Sequence, residues 1–380
     1  MKNKKTVFIV LAIAIFFQSM YQIYVQRDFF FSPGFMKQFP AYERAYYASQ
    51  YVKKNPSIIP DETFESFVGG AFLQGKNPIL IVHEHPPMGR YIIGLSIFLF
   101  DNPRTIIIPL LFISFFGIFL INRYIFKNDI LALLPFIVFV NEPLVINKFH
   151  YAPLLEPIQL PFIIFSLYFF IKGINEKKSF HWFALSAIML GFVISIRFFI
   201  LGAAIAFAML CYFFLFQKFG KKFVAFLTTL PLSLVVLIFS YTRTIQDGYS
   251  IFEIFGVQKY ILFYHKSKFV NPFSFFDLIM FNRWHTWWAD RAIISDPHWI
   301  IIWPIALLLT AAFILCVLLK KIKITNIEKI LLLWIAVYCG LLSVGTTTTR
   351  YFLPLLPFLY LFSILFLLRV YYFFSKNKIL

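Results

Sequence analysis

HEHPPMGRYIIGLSIFLF, residues 83–100, joins a polar knot to a run of ten apolar residues. Two histidines flank a glutamate, two prolines forbid an ordinary helix at that point, and a glycine and an arginine lead into Tyr91–Phe100. Whether that run crosses a bilayer or lies along its surface decides how every later segment is counted. As a helix, ten residues rise only ~15 Å, half of a ~30 Å hydrocarbon core, and Asp101-Asn-Pro-Arg104 closes the run. We read it as a helix lying in the interface. Extending it backward through Pro78 to Val82 would bury two histidines, a glutamate and two prolines in lipid, a heavy cost.

A bilayer is the right solvent to assume. Of the 380 residues, 60% are hydrophobic and 21% aromatic, with 53 Phe, while only 14% are charged, far from the balance of a soluble domain. The formal charge of +18 is dispersed in short clusters between apolar runs, with no basic stripe or arm, so no nucleic-acid partner is expected. Cys211, Cys316 and Cys339 all lie inside apolar runs without metal-type spacing and read as packing residues.

The run Thr6–Val25 follows a basic start and is long enough to span. Phe-Gln-Ser-Met-Tyr-Gln does not resemble a cleavage site, so the run is expected to stay as the first span. Further spans are expected at Thr105–Ile121, Ile130–Ile146, Pro157–Ile171, Phe183–Ile196, Phe198–Phe216, Val224–Tyr241, Trp299–Leu319, Ile330–Val344 and Tyr351–Phe374. The predicted fold is all-α and polytopic, a single transmembrane domain over 1–380 with about ten spans. Lys and Arg alternate strongly between successive connections, which puts both termini on the cytoplasmic side of a plasma membrane. Two large outer segments result, 26–104 with interfacial helices and 242–298.

The polar residues that could carry chemistry fall on that outer side. Glu43 lies in FPAYERAYYASQYV on what reads as an amphipathic helix, where it could equally be a plain surface carboxylate. Glu156 opens a span, where a carboxylate also suits the positive end of a helix. Arg197 interrupts GFVISIRFFILG, and an arginine at membrane depth costs ~2.5–3.5 kcal/mol unless it snorkels or meets an anion. Arg350 follows four threonines in TTTTRYFLPLLP. With Arg90 these are guanidiniums suited to bidentate phosphate binding, or else interfacial anchors. RWHTWWADR at 283–291 brings indoles that anchor in membranes and also stack on sugars. His285 and His298 could ligate a metal with Asp290 or Asp296, but no fixed spacing supports it; metal stays unassigned.

Taken in order, these stretches resemble the GT-C superfamily of polytopic glycosyltransferases, in the branch of protein O-mannosyltransferases and aminoarabinose lipid A transferases. HEHPPMGRYIIG is similar to that branch's HPPLGK stretch. ERAYYA stands where the branch has a DExxYA-like context, with Arg44 in place of a second acid, so the resemblance casts Glu43 as the catalytic base. APLLEP is similar to LDxPL and maps a second acid onto Glu156. ISIRFF supplies Arg197, and RYFLPLLP resembles RYxLPLxP, giving Arg350 and Tyr351. The tryptophan segment is similar to HPYxSxWW, with His285, Trp287 and Trp288 as the matching positions.

The resemblance implies a hexosyltransferase-type enzyme that moves a sugar from a polyprenyl-phosphate donor to an acceptor hydroxyl on protein, lipid or glycan, inverting the anomeric centre at the outer face among membrane lipids. Glu43 and Glu156 would be the acids, and Arg90, Arg197, Arg350 and Tyr351 would hold the donor phosphate. His83, Glu84, His85, His285, Trp287 and Trp288 would contact substrate. No cofactor is then required, although a divalent metal is left open. A transporter or lipid flippase also fits many spans with a few charges, but no inverted repeat is visible. Another GT-C enzyme, using a lipid-linked oligosaccharide, is the alternative within the enzyme class.

Overall fold

The structure is a computed structural model, and it describes residues 2–51, 59–150, 153–217, 219–266, 271–286, 292–345 and 347–377. Seven helices among them are long and apolar enough to cross a bilayer: Lys5–Val25, Ile107–Phe126, Leu155–Asn175, Ser179–Ile196, Lys221–Ser240, Asn326–Val344 and Leu356–Ser375. Three shorter apolar helices, Asp129–Val140, Ile200–Phe216 and Ile302–Leu318, account for the other expected spans. The chain is an all-α integral membrane protein, and its one strand pair among these residues joins Trp284–His285 to Ile293–Ile294.

Prolines move several of the expected boundaries. The expected span Ile130–Ile146 is two helices, Asp129–Val140 and Pro143–His150, broken at Asn141-Glu142. Pro143 has no amide hydrogen to continue the ladder and disfavours a helical Glu142 before it. The expected span Tyr351–Phe374 also starts late. Residues Thr349–Phe352 form a 3-10 turn, Pro354 follows, and the last helix begins only at Leu356. That break leaves Arg350 and Tyr351 on a tight turn at the head of the helix.

The Leu155–Asn175 helix is the centre of the bundle, packed between Ile107–Phe126 and Ser179–Ile196. Apolar side chains alone cannot tie helices together in lipid, so polar and small residues do part of the work. Ser186 donates to the Ser166 carbonyl at 2.8 Å and Ser166 returns a bond at 3.3 Å. Gln159 donates to the Val193 carbonyl at 2.8 Å. Glu156 and Arg197 then lie at one end of this antiparallel pair of helices. At the other end, Lys172 rests 5.6 Å from the centre of the Tyr124 ring.

The run after HEHPPMGR is a 13-residue helix, Met88–Phe100, too short to span alone. Ile93 and Ile97 are buried on one face, while Leu95, Phe98 and Leu99 are exposed on the other. The inner face packs on the Asp61–Leu73 helix at two glycines: a Cβ on Gly94 would stand 2.9 Å from the Gly69 carbonyl oxygen. Asp101 ends the helix in the left-handed region at φ 50°. Its carboxylate accepts from the amides of Gly34 and Met36 at 2.8 and 2.9 Å, pinning the chain after the first helix.

Candidate active site

Glu156 is where four distant segments meet. It sits in the first turn of Leu155–Asn175, and its carboxylate is 7% exposed. Its Oε1 takes Arg197 Nη1 at 3.0 Å and Arg350 Nε at 3.0 Å. Arg197 is the first residue after Ser179–Ile196, where the backbone turns extended and frees the side chain to reach across. Its Nη2 donates to the Tyr351 hydroxyl at 2.9 Å, and the guanidinium lies 4.6 Å from the centre of that ring. Arg350 continues outward, its Nη1 meeting Asp61 Oδ2 at 2.5 Å. Asp61, the first residue of Asp61–Leu73, is 60% exposed, so the cluster runs from a buried acid to one facing solvent.

The turn that presents Arg350 and Tyr351 is fixed from several sides. Trp284 Nε1 donates to the Thr347 carbonyl at 3.0 Å, and Thr349 donates to Asp296 Oδ2 at 2.7 Å. Tyr338 donates to the Tyr351 carbonyl at 2.7 Å, and Trp334 to that of Pro354 at 3.2 Å. Such a turn can hold a guanidinium and a phenol in one geometry without help from a ligand.

Charge dominates the site. Burial is the largest influence on Arg197 and disfavours its charged form, yet Glu156 and Tyr351 together outweigh it and keep the pKa above the ordinary arginine value. For Arg350 burial acts in the same sense, and Glu156, Tyr351 and Asp61 together prevail. Tyr351 shows the converse. Burial pushes its phenol up, but Arg197 and Arg350 overcome that and hold it below the usual tyrosine range.

The HEHPPMGR corner abuts this cluster through its glycine. A Cβ on Gly89 would stand 2.7 Å from Leu155 Cδ2 and 2.9 Å from Ile196 Cγ2, the neighbours of Glu156 and Arg197. Arg90 has a different place from the two cluster arginines. It is fully buried and paired with Glu65, Nε to Oε2 at 2.8 Å and Nη2 to Oε1 at 3.1 Å, and it also donates to the His85 carbonyl at 3.2 Å. A guanidinium so enclosed is spent on the loop's own geometry. His83, Glu84 and His85 face the helix Ile251–Lys266: Tyr264 donates to Glu84 at 2.5 Å, His85 stacks on His265, and His83 meets Tyr260 edge-on. His265 in turn stacks on Phe198, next to Arg197.

The expected base lies elsewhere in the first loop. Glu43, on Phe35–Tyr51, is half-buried and meets Lys76 Nζ at 3.3 Å, whereas the acid that touches Arg350 is Asp61. His285 bonds Asp277 at 2.9 Å and Asn271 at 2.8 Å, and His298 bonds Asp296 at 2.9 Å, so the two histidines have separate partners. Trp287 and Trp288 lie outside the described residues. Among the described residues, no group of three or more His, Cys, Asp or Glu is placed to hold a metal ion. Sequence reading missed Asp61, Glu65, Tyr264 and His265. The adjacent acids Asp61-Glu62 were the available signal for the first.

Comparison with known proteins agrees with the resemblance read from the motifs. A family model described as dolichyl-phosphate-mannose-protein mannosyltransferase matches residues 84–243, a stretch that contains Glu156 and Arg197. The crystal structure of ArnT from Cupriavidus metallidurans in the apo state superposes with a TM-score of 0.61 at 13% identity, covering 88% of this chain and 59% of that one. The same protein bound to undecaprenyl phosphate gives 0.53 at 14% identity, covering 89% and 61%. The chain thus spans about three-fifths of the length of these structures and shares their fold. No curated protein matches the sequence.

Proposed function

We propose that the protein transfers a sugar from a polyprenyl-phosphate donor to an acceptor hydroxyl, with inversion, at the cluster of Asp61, Glu156, Arg197 and Arg350. One observation carries the reading: two guanidiniums 153 residues apart in number converge on one buried carboxylate oxygen beside an exposed acid. A buried acid between two arginines positions them, and a phosphate arriving at their open side finds donors already oriented. The fold shared with a protein solved bound to undecaprenyl phosphate supports a polyprenyl carrier.

In this mechanism Asp61, in place of Glu43, is the base. The incoming phosphate takes over Arg350 Nη1, releasing Asp61 to accept the proton of the acceptor hydroxyl. The hydroxyl oxygen bonds to the anomeric carbon from the face opposite the phosphate. The sugar–phosphate C–O bond breaks, and its electron pair stays on the polyprenyl phosphate, where Arg197 and Arg350 meet the charge. No step requires a metal. The site opens to the outer leaflet, with the termini cytoplasmic, and the acceptor is a hydroxyl of protein, lipid or glycan.

Purified protein supplied with radiolabelled polyprenyl-phosphate sugars tests this. Loss of a general base costs roughly 10²–10⁴-fold, so Asp61→Asn is expected to fall by at least 10²-fold while Glu43→Gln stays within a few-fold of wild type. Equal transfer by Asp61→Asn and wild type would overturn the base assignment. Release of sugar from no polyprenyl-phosphate donor would sink the function itself.

A further inference from the structure

At the far end of the bundle from Glu156 the structure has a second built-up site. From Glu156 to Lys172 the central helix climbs ~24 Å, and Lys172 lies over Tyr124, next to Arg123. There a cavity of about 320 Å³ opens between the first helix and the turn joining Ile107–Phe126 to Asp129–Val140. Its charged lining is Lys5, Arg123, Lys127 and Asp129, three cations against one carboxylate. Arg123 Nε and Asp129 Oδ1 pair at 2.7 Å, which leaves the two lysines as the surplus. Ligand pockets run from roughly 300 Å³ upward, so the space suits a compact headgroup.

The cavity does not end in polar surface. Phe8 is shared with a second cavity of about 220 Å³ that continues along the first helix toward Ser19. Its walls are apolar: Ala12 and Ile15 on the first helix, Phe112 and Phe116 on Ile107–Phe126, and Phe136 on Asp129–Val140. The two cavities adjoin at Phe8, a cationic pocket beside an apolar groove that follows the first helix. A positive cluster that merely fixes topology needs no such groove.

We propose that this groove binds one anionic diacyl phospholipid, with its phosphodiester headgroup between Lys5 and Lys127 and an acyl chain between the first helix and Phe112, Phe116 and Phe136. The site is separate from the donor site by the length of the central helix. With the topology proposed above, its lipid belongs to the cytoplasmic leaflet. Lipid held there fills the space between the first helix and the rest of the bundle.

Native mass spectrometry of the full chain in detergent, titrated with phosphatidylglycerol or phosphatidylcholine of identical acyl chains, reads the preference directly. Wild type is expected to retain phosphatidylglycerol at least 10-fold more tightly than phosphatidylcholine. Lys5→Gln with Lys127→Gln, both exposed positions that leave the Arg123–Asp129 pair intact, is expected to lower phosphatidylglycerol binding by roughly 10- to 30-fold. Ala12→Phe, which fills the apolar groove, should weaken both lipids. Absence of a headgroup preference in wild type, or its persistence in the double lysine variant, overturns the proposal. Thermal stabilisation by inorganic phosphate equal to that by phosphatidylglycerol would also overturn it, because the acyl chain would then contribute nothing.

Discussion

Tyr351 shows how single residues set the working range of the site. Its phenol accepts from Arg197 and is held below the ordinary tyrosine value of ~10, because burial is outweighed by two guanidiniums. Raising the pH therefore ionises Tyr351 in the folded protein before a free tyrosine would lose its proton. The phenolate then satisfies Arg197 and competes with a donor phosphate. Donor KM is expected to rise through the alkaline window below pH ~10, and Tyr351→Phe should lack that rise. An identical alkaline limb in the variant would show that another group titrates. Glu156, Arg197, Arg350 and Tyr351 were all legible in sequence, since charges beside apolar runs stand out. Asp61 was not, because Glu43 followed by Tyr46-Tyr47-Ala48 offered a competing aromatic context. Yet Asp61-Glu62 is the pair of adjacent acids that the family pattern asks for. What distinguishes them is a contact with Arg350, and spacing alone does not reveal such a long-range contact.

At the scale of elements, helix positions followed from the apolar runs, while breaks followed from prolines whose effect depends on what surrounds them. Pro161 lies inside the helix Leu155–Asn175, yet Pro143 and Pro354 help to interrupt expected spans. The interfacial reading of Tyr91–Phe100 anticipated a short, one-sided helix, but could not foresee its partner. That partner, Asp61–Leu73, approaches so closely at Gly69 and Gly94 that a methyl group on Gly94 would press on backbone, which cannot swing aside as a side chain can. Gly94→Ala is expected to cost about 1–3 kcal/mol through overpacking. Because the Asp61–Leu73 helix carries Asp61, transfer should fall along with the melting temperature measured in detergent. Unchanged melting and unchanged transfer would mean that the two helices tolerate separation.

For the whole molecule, the arrangement of both ends gives a test of sidedness. Asp61, Arg350 and the head of the central helix form one end, and Arg123, Lys127 and Lys172 the other. Single cysteines placed at Asp61 and at Lys127 in a chain whose own cysteines are replaced should label from opposite faces of sealed cells, the first from outside only. Labelling of both from one face would refute the proposed topology. Opposite placement follows from the helix count as much as from the lysine bias, so the structure and the charge pattern can be checked independently. The ion pair between Asp61 and Arg350 joins residues 289 positions apart. Synthesis must therefore pass residue 350 before that contact can close. Until then Asp61 and Glu156 are two acids awaiting a common cation, and a nascent chain arrested before residue 350 lacks the proposed site's Arg350. Translation past residue 350 is thereby the step on which the proposed site depends.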